Sequence, residues 1–97
     1  MDMEELMANA QNLQMKISAA QDALALQHVK GIADNGNVVI DMTGKYDIVS
    51  VDIKPSALGQ GAEVLSKMVF DAYKDAKQKA DALIDKTMSA ITGGLSE

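Results

Sequence analysis

The stretch VKGIADNGNVVIDMTGKYDIVSVDI, residues 29–53, decides the fold, because its turn chemistry and its side-chain alternation test each other. Asn35-Gly36 suits a type I′ hairpin turn, and Gly44-Lys45 suits a type II′ turn with glycine first. With two-residue loops at both places, Ala33 faces Val38, Gly31 faces Ile40 and Val29 faces Met42, while Ile40 faces Val49 and Val38 faces Val51. Every strand then turns its apolar set to one face, made of Val29, Gly31, Ala33, Val38, Ile40, Met42, Val49, Val51 and Ile53. A slip of one residue would turn a strand's set outward. A three-stranded antiparallel meander is therefore expected. Its other face holds Lys30, Asp41, Ser50 and Asp52, but also Ile32, Val39 and Ile48, a mixture that calls for cover by a helix or a partner chain.

Outward from this core, Lys54-Pro55 ends the last strand and Gly59-Gln60-Gly61 loosens the connection that follows. Upstream, Leu6, Ala10, Leu13, Ile17, Ala20 and Leu24 repeat at alternating spacings of four and three, the heptad-type seam of an amphipathic helix that needs another helix or subunit. Asp2 and Glu5 make a capping-box-like start, and the helix runs to about Leu26. A weaker stripe of Ala8, Met15, Ala19 and Leu26 lies opposite. Downstream, a second helix from about Ala62 puts Leu65, Val69, Ala72, Ala76, Ala80, Leu83 and Thr87 on one side. Phe70, Tyr73, Ile84, Met88 and Ile91 adjoin them, and Thr92-Gly93-Gly94-Leu95 reads as a glycine C-cap. At roughly 45 Å, from 1.5 Å per residue, this helix is longer than a small sheet covers, so it projects or pairs.

The expected architecture is α+β, in the order α-β-β-β-α, as one domain over residues 1–97. The seam, the mixed outer sheet face and the wide helical arc exceed what one such chain covers. A homodimer is expected, with Leu6, Leu13, Ile17, Leu24, Phe70, Tyr73 and Ile84 at its interface. There are no cysteines, which removes disulfides and thiolate metal sites and suits a reducing, intracellular setting. No targeting or membrane segment is read in the chain.

No chemistry-bearing constellation emerges. His28 stands between the first helix and the first strand without a second histidine or thiol, as a junction or surface residue. Gly59-Gln60-Gly61 lacks the third glycine of a dinucleotide loop, and Asp34-Asn35-Gly36-Asn37 lacks the glutamate that closes a calcium loop. No catalytic residue, metal site or cofactor is assigned, and the expectation is a non-enzymatic protein.

The net charge of −5 argues against attraction to polyanions by the overall field, yet not against a local basic patch. The last helix balances Glu63, Asp71, Asp75, Asp81 and Asp85 against Lys67, Lys74, Lys77, Lys79 and Lys86, and it alone lacks a net negative charge. Pairs such as Lys67 with Asp71, Asp75 with Lys79 and Lys77 with Asp81 have i,i+4 spacing, as on an ordinary solvated face. All nine basic residues are lysine, so the forked guanidinium that reads guanine is missing, and any polyanion binding should discriminate sequence poorly.

Taken in order, several segments resemble the YbaB/EbfC family of bacterial nucleoid-associated proteins. They are Leu6-Met7 with a Gln/Met-rich first helix, Val29-Lys30-Gly31, Gly36-x-Val38-x-Ile40 and Thr43-Gly44. They continue through Ile48-Val49-x-Val51-x-Ile53-x-Pro55-Ser56-x-Leu58 to Met88-x-x-Ile91-Thr92-Gly93-Gly94-Leu95, with Asp75-Ala76, Lys79-Ala80 and Leu83 in the last helix. The resemblance spans essentially the whole chain. It implies a tweezer-like homodimer with a sheet body and projecting helices that binds DNA on the nucleoid in the cytoplasm, with recombination or repair proteins as further partners. Gly59-Gln60-Gly61 departs from the acidic, proline-containing segment usual in relatives. The leading expectation is a DNA-binding protein that contacts phosphate through Lys67, Lys74, Lys77, Lys79 and Lys86. The alternative is a protein-interaction adaptor in recombination or repair with weak DNA binding.

Overall fold

The computed structural model describes residues 2–93, which span 67 × 21 × 16 Å. The elements are α1 (Met3–Leu26), β1 (His28–Ala33), β2 (Val38–Thr43), β3 (Ile48–Ile53), a one-turn helix α2 (Pro55–Leu58) and α3 (Ala62–Gly93). The strands form one antiparallel sheet in the order β1-β2-β3. Asp2 caps α1 by accepting from the Glu4 N–H at 3.3 Å. Pro55, expected only to end a strand, also occupies the first turn of α2, where its missing N–H has no intrahelical partner to lose. The glycine C-cap expected at Thr92 to Leu95 lies outside the described residues from Gly94 on.

The first hairpin has the expected register, with Ala33 opposite Val38, Gly31 opposite Ile40 and Val29 opposite Met42. Asn35 (φ 56°) and Gly36 (φ 92°) both occupy the left-handed region, as a type I′ turn demands, and the Asn37 N–H closes the turn on the Asp34 carbonyl at 3.1 Å.

The second hairpin departs from expectation. Ile40 lies opposite Val51 and Val38 opposite Ile53, two residues beyond the expected partners, and an irregularity at Asp41/Met42 brings Ile48 opposite Met42. The expected II′ turn at Gly44-Lys45 is replaced by a longer one, in which the Tyr46 N–H donates to the Thr43 carbonyl at 3.0 Å and Tyr46 takes the positive φ (68°). Gly44 is required by packing instead. A Cβ there would sit 2.7 Å from the Leu24 carbonyl oxygen, and the Gly44 N–H donates to the carbonyls of Leu24 (2.9 Å) and Gln27 (3.0 Å). The turn thereby adds a second donor to the Leu24 carbonyl, which also accepts from the Gln27 N–H at 3.3 Å at the end of α1. Ile48, expected outside, consequently shares the face of Met42.

The core forms where α3 crosses β1 and β2. Val38, Ile40 and Met42 of the central strand are fully buried beneath Met68, Ala72, Ala76 and Ala80, with Leu65 and Val69 packed alongside. Burial of each large apolar side chain contributes about 1.5–3 kcal/mol. The alanine stripe lets the helix approach the sheet closely. At Gly31 of β1 an added Cβ would lie 2.0 Å from the Ala72 carbonyl oxygen and 2.6 Å from the Ala76 Cβ. Along the edge of β1, Asp75 Oδ2 accepts from the Ile32 N–H at 2.9 Å and Lys79 Nζ donates to the Lys30 carbonyl at 2.7 Å. The two side chains pair at 2.9 Å, so α3 closes this edge to further strands. At the other end of the sheet the Tyr46 hydroxyl donates to Asp81 of α3, which holds the phenol above its ordinary pKa. The edge strand β3 receives little cover, and Ile48, Val49 and Val51 are each about half exposed.

Gly31→Ala should therefore destabilise the fold by about 3 kcal/mol or more, because the atoms it meets are backbone and an alanine Cβ, none of which can rotate away. Chemical denaturation measures this. Acid should reveal the edge contact, since the Ile32 N–H, followed by Lys79, holds the Asp75 carboxyl below the usual carboxylate range. Its contribution is complete above the unfolded value near 3.9 and is lost as pH falls through the lower folded value. The stability gap between the natural chain and Asp75→Asn should thus narrow below about pH 4.

Candidate nucleic-acid interface

At 100° per residue, Lys67, Lys74 and Lys77 fall on the side of α3 away from Ala72, Ala76 and Ala80, and all three are exposed. Among the described residues, no carboxylate forms a salt bridge with any of them. Of the three i,i+4 pairs expected on this helix, only Asp75–Lys79 closes. Asp81, the expected partner of Lys77, instead accepts from the Tyr46 hydroxyl. Lys74 Nζ lies 5.7 Å from the centroid of the Phe70 ring, a cation–π distance.

The five expected lysines are not one surface. Lys79 is engaged by the Lys30 carbonyl and Asp75, so its ammonium braces the sheet edge. Lys86 lies on the flank of Lys79 and borders a groove of about 630 Å³ between α1 and α3, lined also by Ala19, Ala20, Leu83 and Ile91. Lys16 of α1 borders the same groove, a meeting of two cations from opposite ends of the sequence. No local signal could have found it, because it depends on how two helices pack. Two groups of lysines therefore stand out: Lys67, Lys74 and Lys77 on the outer side of α3, and Lys16 with Lys86 bordering the groove between α1 and α3.

The apolar residues expected at an interface are similarly divided. Leu24 is 3% exposed within the single chain, packed where the β2–β3 turn meets α1. Leu13, Ile17 and Ile84 are half-buried, whereas Leu6, Phe70 and Tyr73 are exposed. The N-terminal half of α1 therefore carries its seam uncovered by the rest of the chain. His28 places its Nδ1 2.7 Å from Asp41 Oδ1 at the start of β1, a pairing that suits a surface role. Among the described residues no helix is long and apolar enough to cross a membrane, and no three His, Cys, Asp or Glu side chains converge as a metal site would need.

The model of the YbaB/EbfC DNA-binding family matches residues 1–95. A nucleoid-associated protein of Bradyrhizobium diazoefficiens is 41% identical over 91 residues, covering 93% of this chain and 86% of that protein. One from Corynebacterium jeikeium is 33% identical over 96 residues, covering 98% and 92%. The crystal structure of an uncharacterized protein from Helicobacter pylori shares the fold with a TM-score of 0.62 at 18% identity, over 91% of this chain and 98% of that one. With helix, meander and long helix in the expected order and the match running nearly end to end, the chain belongs to the YbaB/EbfC DNA-binding family.

Proposed function

We propose that this protein binds duplex DNA on the bacterial nucleoid as a homodimer, by contacting phosphates with lysine and without catalysis. The observation that carries the reading is the set of exposed Lys67, Lys74 and Lys77, free of salt bridges among the described residues, on the longest helix of a chain in a DNA-binding family. The names of its relatives support the nucleoid as the site of action. Low sequence discrimination follows from the chemistry of the donors: an ammonium is a point charge, and no arginine is present to form a bidentate fork on guanine. Such binding organises DNA broadly and influences gene expression indirectly.

Dimerisation is supported by the apolar surface that the chain leaves uncovered. Leu6 is 48% exposed on the seam of α1, and Val51 is 47% exposed on β3, whose outer edge no element pairs with. A second copy would cover both. The groove between α1 and α3 favours a second reading, an adaptor that takes a recombination or repair protein there, in keeping with the acidic net charge.

Binding to unrelated duplexes should be of similar strength and should weaken with salt, with a log–log slope of about −0.9 per phosphate neutralised. Replacing Lys74 and Lys77 together by glutamine should flatten that slope and leave stability within about 0.5 kcal/mol. An unchanged slope moves the phosphate contacts to Lys16 and Lys86. Val51→Lys should convert a sedimenting dimer to a folded monomer; a natural chain that already sediments as a folded monomer at micromolar concentration ends the dimer reading.

A further inference from the structure

The outer side of α3 carries more than charge. Phe70 is 59% exposed and Tyr73 is 38% exposed, and they are two of the three aromatic residues in the whole chain. With Lys74, Lys77, Gln78 and Asp81, whose carboxylate accepts from the Tyr46 hydroxyl, they line a shallow groove of about 360 Å³. Lys67, Phe70, Lys74 and Lys77 follow one another at spacings of three, four and three, so one ring stands among three cations along a stripe about 15 Å long, with Tyr73 on its flank. Exposed rings on a surface are usually covered by a partner subunit. Here the cover would have to desolvate Lys74, which lies over the Phe70 ring, and Lys77 beside it, and charged residues are depleted at the cores of such interfaces.

Duplex DNA offers this stripe only its phosphates, because base faces are stacked on one another. An unpaired strand offers both parts: phosphates for the lysines and open base faces for the rings, the combination used by surfaces that bind single strands. We infer that the Phe70–Tyr73–Lys74–Lys77 stripe binds single-stranded DNA by stacking bases on the two rings, so that the protein prefers unpaired over duplex DNA. This rests on the DNA-binding reading above and adds the strand state to it.

The test uses the full chain, an end-labelled oligothymidine of about twelve nucleotides and a duplex of equal length, compared by fluorescence anisotropy at low salt. The single strand should bind more tightly. It should also quench intrinsic emission, which comes from tyrosine alone because the chain has Tyr46 and Tyr73 and no tryptophan. Phe70→Leu and Tyr73→Leu keep apolar bulk but remove the ring. Each should weaken single-strand binding by roughly fivefold to a hundredfold while duplex affinity stays within about twofold. Tyr73→Phe should bind normally yet lose most of the quench. Should Tyr73→Leu fail to fold by circular dichroism, Phe70→Leu at the more exposed position decides the matter. Undiminished single-strand binding by Phe70→Leu, or an equal loss for both forms of DNA, overturns the stacking site. Tight duplex binding with no preference for the single strand also overturns it and leaves the broader reading standing, whereas failure to bind either form overturns both.

Discussion

The fold depends on how closely a helix can approach a strand. At Gly31 the backbone of β1 comes so near to Ala72 and Ala76 that even a methyl group has no room. That proximity puts the alanine stripe of α3 directly onto Val38, Ile40 and Met42, and it brings Asp75 and Lys79 within hydrogen-bonding reach of the Ile32 amide and the Lys30 carbonyl. A bulkier stripe would lift the helix and lose both the apolar burial and the polar closure of the strand edge. Small residues here act through what they permit others to do.

The same contact sorts the surface. Because α3 settles over β1 and β2, one side of the helix is committed to the core, one flank to the strand edge, and only the remaining side is left for solvent. Lys67, Lys74 and Lys77 fall there, and Lys79 does not. Even in an acidic protein, the outer side of α3 thus keeps three cations free of salt bridges among the described residues, while two carboxylates of the same helix are engaged elsewhere, Asp75 with Lys79 and the Ile32 amide and Asp81 with the Tyr46 hydroxyl.

Most of the architecture was legible in the sequence because local rules agreed. Asn35-Gly36 named its turn and its register together, and the alanine spacing in α3 named its buried side. The second hairpin departs from expectation for a physical reason. Its true register differs from the expected one by two residues, and an even displacement leaves Val51 and Ile53 on the same face, so alternation had no power to reject it. Gly44 serves proximity to Leu24 and not backbone freedom, and the positive φ falls to Tyr46, a residue type that gives no such hint. For the candidate site, the outward direction of Lys67, Lys74 and Lys77 followed from helical periodicity, but the capture of Lys79 and the meeting of Lys16 with Lys86 are long-range facts that no window of sequence contains.

The β2–β3 turn holds both long helices. Its Gly44 amide closes the C-terminal carbonyls of α1, and its Tyr46 hydroxyl grips Asp81 of α3. The relation between the two helices is therefore set by a hairpin a few residues long together with their own packing. Lengthening or stiffening that hairpin would re-aim both helices as a coupled pair, so their spread can be altered at one loop without touching Lys67, Lys74 or Lys77.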